Sequence, residues 1–252
     1  MREIFQRIRP GIRIVLFLDY DGSLVPIKKS PELAVLHPKR RHLLERLSER
    51  TVVCIVSGRS LAEIRMLVGI EDIAYIGNHG LEILYRHHRW IHPGAARIKP
   101  ILGRALSRIG GRIGHLPGVM IENKGVTGTV HFRRSRAGLE PVIRKTVEDE
   151  VRLKSRSLKL TEGKKVFEIR PNVEWDKGKG VKEISRWFPG LKACVRVYIG
   201  DDQTDEDAFR ALGREAVTIH VGRSQSTRAR YRLDDVGQVW KFLGDLLQRI
   251  AV

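Results

Sequence analysis

Ile14-Val15-Leu16-Phe17-Leu18 is apolar at every position, so a strand built from it has no face that water can wet. Strands of this kind belong to parallel sheets covered by helices on both sides. The run ends in Asp19-Tyr20-Asp21-Gly22-Ser23, which puts two carboxylates at the carboxyl end of a strand, where open α/β sheets hold their ligands. Like charges two residues apart repel and call for a cation or a proton between them. Asp-Gly is also a turn dipeptide, and a hairpin tip would account for Asp21 and Gly22 without chemistry. A hairpin needs a second strand, however. The chain continues through Val25-Pro26-Ile27 into Lys28-Lys29-Ser30-Pro31, a loop composition whose prolines break a ladder. Asp19 and Asp21 therefore read as half of a metal site.

Strand and helix patterns then alternate. Pro38 to Glu49 has helical periodicity, with Leu43, Leu44 and Leu47 on one face, and Val52 to Val56 is a second buried strand. Ser60-Leu61-Ala62-Glu63 has capping-box spacing and opens a helix through Val68, followed by a short strand over Ile73 to Ile76. Toward the other end come a strand over Val195 to Ile199, a helix over Asp205 to Leu212, a strand over Ala216 to Ile219 and a helix over Val236 to Ile250. This order predicts an α/β fold with a Rossmann-like, doubly wound parallel sheet.

The middle of the chain differs. Ile98 to Ile109 reads as an amphipathic helix stopped by Gly110-Gly111, and Val119 to Ile121 and Thr127 to Phe132 as strands joined at Lys124-Gly125. Leu139 to Val151 is helical, and Leu158 to Leu160 and Val166 to Ile169 form a hairpin around Glu162-Gly163-Lys164. Helix, strand, strand, twice over, describes an α+β module with an antiparallel sheet. The expected organisation is an α/β core over 1–86 and 172–252 with an α+β domain inserted over 87–171.

Hydrophobic content of 42% with 30% charged residues describes a globular protein. No apolar stretch approaches the roughly 18 residues of a membrane span. The run after Arg13 is too short for a signal-peptide core, so neither a membrane partner nor secretion is expected, and the expected address is cytoplasmic. Cys54 and Cys194 sit in strand-like segments outside any Cys-x-x-Cys pair, which predicts neither disulfide nor zinc. A net charge of +18 admits nucleic-acid binding. The basic residues are scattered, though, and aromatics amount to 6%, too few for stacking platforms, so no nucleic-acid partner is expected.

Three further segments carry chemistry. Ser57 follows the second strand, where a serine is usually a helix cap. Ser60 with Glu63 already fills that role, which leaves the Ser57 hydroxyl at the carboxyl edge of the sheet, able to hold a phosphate oxygen. In Asp176-Lys177-Gly178-Lys179-Gly180, Asp176 suits a helix cap, but cations in a first turn oppose the helix dipole. The glycines permit close approach of an anion, so Lys177 or Lys179 is a phosphate ligand, and spacing does not choose between them. In Gly200-Asp201-Asp202-Gln203-Thr204-Asp205-Glu206-Asp207, Thr204 with Asp207 reads as a capping arrangement, which leaves Asp201 and Asp202 over. Two acidic clusters at strand ends make a hard-oxygen site suited to Mg²⁺.

In chain order these segments resemble the motifs of the haloacid dehalogenase superfamily of phosphatases. Asp19-Tyr20-Asp21-Gly22-Ser23 is similar to its first motif, Ser57 to its second, Lys177 to its third, and Asp201 with Asp205 to its fourth. The resemblance selects Lys177 over Lys179. Leu18-Asp19-Tyr20-Asp21-Gly22, Gly77-Asn78-His79-Gly80-Leu81-Glu82, Glu122-Asn123-Lys124, Glu168-Ile169-Arg170-Pro171 and Gly200 to Asp207 together resemble the trehalose-6-phosphate phosphatase family. The inserted module is similar to that family's cap domain, and Ser23 stands where the family usually has threonine.

The resemblance implies hydrolysis of a phosphorylated disaccharide, trehalose 6-phosphate, to trehalose and phosphate through an aspartyl-phosphate. In that scheme Asp19 is the nucleophile, Asp21 the general acid and base, Ser57 and Lys177 hold phosphoryl oxygens, and Asp205 orients Lys177 or the metal shell. Mg²⁺ would be held by Asp19, the Asp21 backbone carbonyl and Asp201, with Asp202 beside them. The sugar would meet Glu122, Lys124, Arg133 and Glu168 of the cap and Asn78, His79 and Gly80 of the core, in a monomer. Two alternatives accompany this expectation. One is a phosphatase of the same superfamily acting on sucrose phosphate or mannosyl-3-phosphoglycerate; the other is a basic nucleic-acid-binding protein.

Overall fold

The computed structural model describes residues 1–8, 11–28, 31–163, 165–188, 194–224 and 226–250. Lys29 and Ser30 of the loop after β1, Lys164 of the hairpin turn and Ala193 before the strand at Val195 lie outside them. In chain order the elements are α1 (Arg2–Arg7), β1 (Ile14–Asp19), α2 (Pro38–Ser48), β2 (Val52–Val56), α3 (Leu61–Val68), β3 (Ala74–Gly77), β4 (Glu82–Tyr85) and β5 (His88–Ile91). Then follow α4 (Pro93–Ile113), β6 (Met120–Asn123), β7 (Gly128–His131), α5 (Glu140–Arg152), β8 (Leu158–Gly163) and β9 (Val166–Pro171). The chain closes with α6 (Lys177–Ser185), β10 (Val195–Gly200), α7 (Asp205–Leu212), β11 (Val217–Val221), β12 (Tyr231–Leu233) and α8 (Val236–Ile250). They form two compact units, Met1–Trp90 with Trp175–Val252, and Ile91–Glu174.

The first unit is built on an eight-stranded sheet of order β12-β11-β10-β1-β2-β3-β4-β5. β1 pairs in parallel with both β10 and β2, and the parallel pairing extends to β3 on one side and β12 on the other. The alternation of side chains along β1 explains its unbroken apolarity. Ile14, Leu16 and Leu18 pack in a core with Ile4, Leu44, Leu47, Ile64, Phe242 and Leu246 from α1, α2, α3 and α8. Val15 and Phe17 face the other way, into a core with Val181, Ile184, Ala208, Phe209 and Leu212 of α6 and α7. The strand is covered on both faces, as a doubly wound sheet requires. The edge is mixed, since β4 pairs antiparallel to β3.

Local signals set the helix ends. The Ser60 hydroxyl accepts from Glu63 N at 3.2 Å, and α3 stops at Gly69 in the left-handed region (φ 67°). α8 turns Val239, Phe242, Leu243, Leu246 and Leu247 inward at helical spacing.

In the second unit, a four-stranded antiparallel sheet of order β6-β7-β9-β8 packs one face against α4 and α5. Gly110-Gly111 does not break α4, contrary to the sequence expectation. Ile109 and Ile113 on either side are both buried, each stabilising by about 1.5–3 kcal/mol. Each glycine costs roughly 1 kcal/mol relative to alanine, so the helix runs through. Both cysteines are free thiols. Among the described residues no helix is long and apolar enough to cross a membrane.

Candidate active site

Parallel pairing in register brings three motif loops out side by side. Asp19 lies opposite Val56, the last residue of β2, and Leu18 opposite Ile199, so Asp19, Ser57 and Asp201 leave the sheet at one edge. Lys177 begins α6, whose cap Asp176 accepts from Lys179 N at 2.8 Å. Lys177 is buried and donates from Nζ to Asp19 Oδ1 and to Asp205 Oδ1, both at 2.8 Å, and its Nζ stands 3.7 Å from Asp202 Oδ1. Lys177 is thus the lysine of the 176–180 segment that meets Asp19.

Asp205 is the organising carboxylate. Its Oδ1 accepts from Lys177 and from Tyr198 OH at 2.7 Å, and its Oδ2 accepts from Asp201 N at 3.0 Å and Asp202 N at 3.1 Å. Four donors fill its acceptor sites. The sequence expectation that Thr204 caps α7 with Asp207 is not met, because Thr204 makes no side-chain cap bond. Asp202 Oδ1 does this work, accepting from Thr204 N, Thr204 Oγ1 and Asp205 N at 2.8, 2.7 and 3.1 Å. An aspartate two residues ahead of the turn reaches those donors with less rotamer loss than a β-branched threonine.

Asp19, Asp201 and Asp205 each offer a carboxylate oxygen within 4.8 Å of the others. Of the three, Asp205 is saturated, whereas among the described residues Asp201 accepts a single side-chain bond, from Ser23 Oγ at 3.2 Å, and Asp19 uses one oxygen for Lys177. Gly22 (φ +92°) makes the approach possible: a Cβ there would lie 2.0 Å from Asp201 Oδ2. The donor set is all carboxylate oxygen, which fits a hard divalent cation, with Asp19 and Asp201 the residues able to hold it. Asp202 stands beside this group with Oδ1 engaged in the turn.

The electrostatics match a site short of positive charge. Burial, and then Asp205, Asp201 and Asp202 against Lys177, hold the Asp19 carboxyl well above its usual range. Burial followed by Asp205 and Asp202 pushes Asp201 up to about 7. Lys177 is opposed by its burial but held above its ordinary value by Asp19, Asp205 and Asp202. An acid whose folded pKa is raised gives stability below its unfolded pKa, near 4, that is lost as pH rises to about 7. The metal-free protein should therefore lose stability through that window relative to Asp201→Asn. Mg²⁺ should raise the melting temperature more at about pH 8 than at about pH 5. Equal metal-induced shifts at both pH values would contradict the cation site.

Asp21 points its carboxylate elsewhere. Its two oxygens accept from Arg59 Nε at 2.6 Å and Arg59 Nη2 at 2.8 Å. Ser57 is buried, and its hydroxyl accepts from Arg59 N at 3.1 Å. Asn78 and His79 take positive φ in a 3₁₀ turn. Asn78 is buried with Nδ2 donating to Glu82 Oε2 at 2.6 Å, and the His79 ring lies against Gly58, where a Cβ would come within 2.5 Å. Gly80 (φ +97°) accepts at its carbonyl from Trp175 Nε1 at 2.7 Å.

In the second unit, Glu122, Thr129, Glu168 and Thr161 stand opposite one another across the sheet, on the face away from the helices. Glu122 Oε2 lies 2.9 Å from His131 Nε2 and 4.0 Å from Lys124 Nζ. Arg133 is exposed beyond β7. Glu122, Lys124 and Glu168 thus belong to one polar sheet surface. Two members of the core network escaped sequence reading. Tyr198 had a signal, a hydroxyl inside a buried run that needs a partner. Arg59 had none, because its partner is 38 positions away.

A family model described as trehalose-phosphatase matches residues 17–237. Among curated relatives, trehalose-phosphate phosphatase B of Arabidopsis thaliana is 34% identical over 94% of this chain and 67% of that protein. Trehalose-phosphate phosphatase of Mycobacterium marinum is 34% identical over 95% of this chain and 63% of that protein. The chain thus spans about two thirds of the length of the curated relatives it matches. Among solved structures, a trehalose-6-phosphate phosphatase related protein superimposes with a TM-score of 0.82 at 29% identity, covering 93% of this chain and 97% of the other. The C-terminal domain of C. albicans trehalose-6-phosphate phosphatase gives 0.78 at 24% identity, covering 97% and 95%, and supports the fold.

Proposed function

We propose that this chain, which belongs to the trehalose-phosphatase family, hydrolyses trehalose 6-phosphate to trehalose and phosphate in two steps through Asp19. In the first step the Asp19 carboxylate oxygen not bound to Lys177 attacks phosphorus, and the sugar oxygen leaves with the proton that Asp21 gives it. In the second, Asp21 takes a proton from water as that water attacks the aspartyl-phosphate, which frees phosphate, regenerates the Asp19 carboxylate and returns Asp21 to its protonated form. Ser57 and Lys177 hold phosphoryl oxygens, and Asp205 fixes Lys177 and the 201–202 backbone. A divalent cation on Asp19 and Asp201, when bound, neutralises charge on the phosphoryl group so that two anions can meet.

The observation that carries this reading is the buried Lys177, bonded at once to Asp19 and Asp205 from distant parts of the chain. The second unit is read as an inserted cap whose polar sheet surface, with Glu122, Lys124 and Glu168, recognises sugar hydroxyls. The same reading places a monomeric enzyme in the cytoplasm. Phosphate release from trehalose 6-phosphate, sucrose phosphate and mannosyl-3-phosphoglycerate tests it, with Mg²⁺ and with chelator. The expected result is chelator-sensitive turnover, with kcat/KM for trehalose 6-phosphate higher by about 10-fold or more, the worth of a single pocket contact. A preference for another ester would move the substrate. No phosphate release from any of the three with Mg²⁺ would overturn the activity.

A further inference from the structure

Arg59 directs all three of its guanidinium nitrogens at two carboxylates. Nε and Nη2 form a fork onto the two oxygens of Asp21 at 2.6 and 2.8 Å, and Nη1 donates to Glu63 Oε1. The residue is 8% exposed and anchored at its backbone, with its N donating to Ser57 Oγ at 3.1 Å and its carbonyl accepting from Asn78 N at 2.7 Å. Its guanidinium also lies 5.9 Å from the Tyr20 ring. Such a bidentate pair fixes the plane and rotamer of its carboxylate in a way a single point charge does not. The backbone around Asp21 is closed independently, by Gly22 N donating to Val25 O at 2.7 Å and Leu24 N to Tyr20 O at 3.0 Å. The Asp21 side chain, by contrast, takes its direction from Arg59.

We infer that Arg59 is a positioning residue for the proton transfer, holding the Asp21 carboxyl in one orientation, while Glu63 fixes the guanidinium from its other edge. A fork anchored on both sides has fewer rotamers open to it than one tied to Asp21 alone. This inference rests on the assignment of Asp21 as the proton carrier.

An effect confined to the leaving group separates positioning from scaffolding. p-Nitrophenyl phosphate loses nitrophenolate without needing a proton, whereas a sugar oxygen needs one. In the first turnover, Arg59→Lys should slow cleavage of trehalose 6-phosphate by about 10- to 100-fold, the scale of a misplaced catalytic group. With p-nitrophenyl phosphate, first-turnover release of nitrophenolate should stay within about threefold. Added to Asp21→Asn, the Arg59→Lys change should have no further effect on the sugar ester. Glu63→Gln keeps the Asp21 fork intact and should show the same selectivity for the sugar ester at smaller amplitude, so the test survives if Arg59→Lys does not fold.

Equal losses on both substrates, or an Arg59→Lys effect that multiplies with Asp21→Asn, would overturn the inference while leaving the phosphatase reading in place. A wild-type protein that releases no phosphate from the sugar ester would overturn both.

Discussion

Asp19→Asn should yield a folded protein whose release of phosphate from trehalose 6-phosphate is slower by roughly 10⁴-fold or more, the scale on which single members of a covalent machinery are lost. The substitution changes almost no volume, and the amide oxygen can still accept from Lys177 Nζ, the bond that Asp19 Oδ1 accepts at 2.8 Å. It removes the one property the first step requires, a charged oxygen able to bond phosphorus. It also removes a carboxylate that burial already disfavours in its charged form. The metal-free variant should therefore unfold at or above the wild-type temperature. Phosphate release and thermal unfolding together check the prediction, and retention of more than about a tenth of wild-type turnover would remove Asp19 from its role.

Lys177→Met should cost more in stability than any other single change at the site. Its ammonium is the shared counter-ion of two buried carboxylates, Asp19 and Asp205, and a third, Asp202, lies 3.7 Å away. Removing one partner of a buried pair leaves uncompensated charge and destabilises by about 3–5 kcal/mol. The pH dependence has a definite sign. Asp19 and Asp205 already have carboxyls raised by burial, and loss of the cation raises them further. In the variant the folded state then binds more protons than the unfolded one, so its deficit at about pH 7 should shrink as pH falls toward 5. Mg²⁺ should restore part of it at neutral pH. Urea unfolding at both pH values measures the effect, and a deficit below about 1 kcal/mol would show that Lys177 is not the counter-ion the geometry makes it.

What the sequence made legible was whatever has a local signature. The apolar run at Ile14–Leu18, the Ser60–Glu63 cap and the stripe of α8 each reported an element directly, because burial and capping act over a few residues. β5 was missed because it is the edge strand, where His88 and Arg89 are exposed and the apolar pattern fades, and β4 beside it is only four residues long. α1 is a single short turn-and-a-half whose Ile4 and Phe5 are buried by α8, a contact no local pattern shows. At the site, residue types and strand ends pointed to Asp19, Asp21, Ser57, Asp201 and Asp202, while the choice of Lys177 over Lys179 and the part of Asp205 came from the family resemblance. The division of labour within the acidic cluster did not follow from spacing. Asp205 is saturated by donors while Asp202 supports the turn, and both depend on how β10 and α7 meet. The Asp21–Arg59 fork was invisible for the same reason, being a contact made by folding alone.

The configuration at phosphorus tests the covalent step at Asp19 most directly. The 6-phosphorothioate of trehalose, made chiral at phosphorus with ¹⁷O and ¹⁸O and hydrolysed in ordinary water, should yield inorganic thiophosphate in which configuration is retained, because two in-line displacements each invert it. Inversion would mean that water attacks the ester directly, and the nucleophilic role of Asp19 would be contradicted.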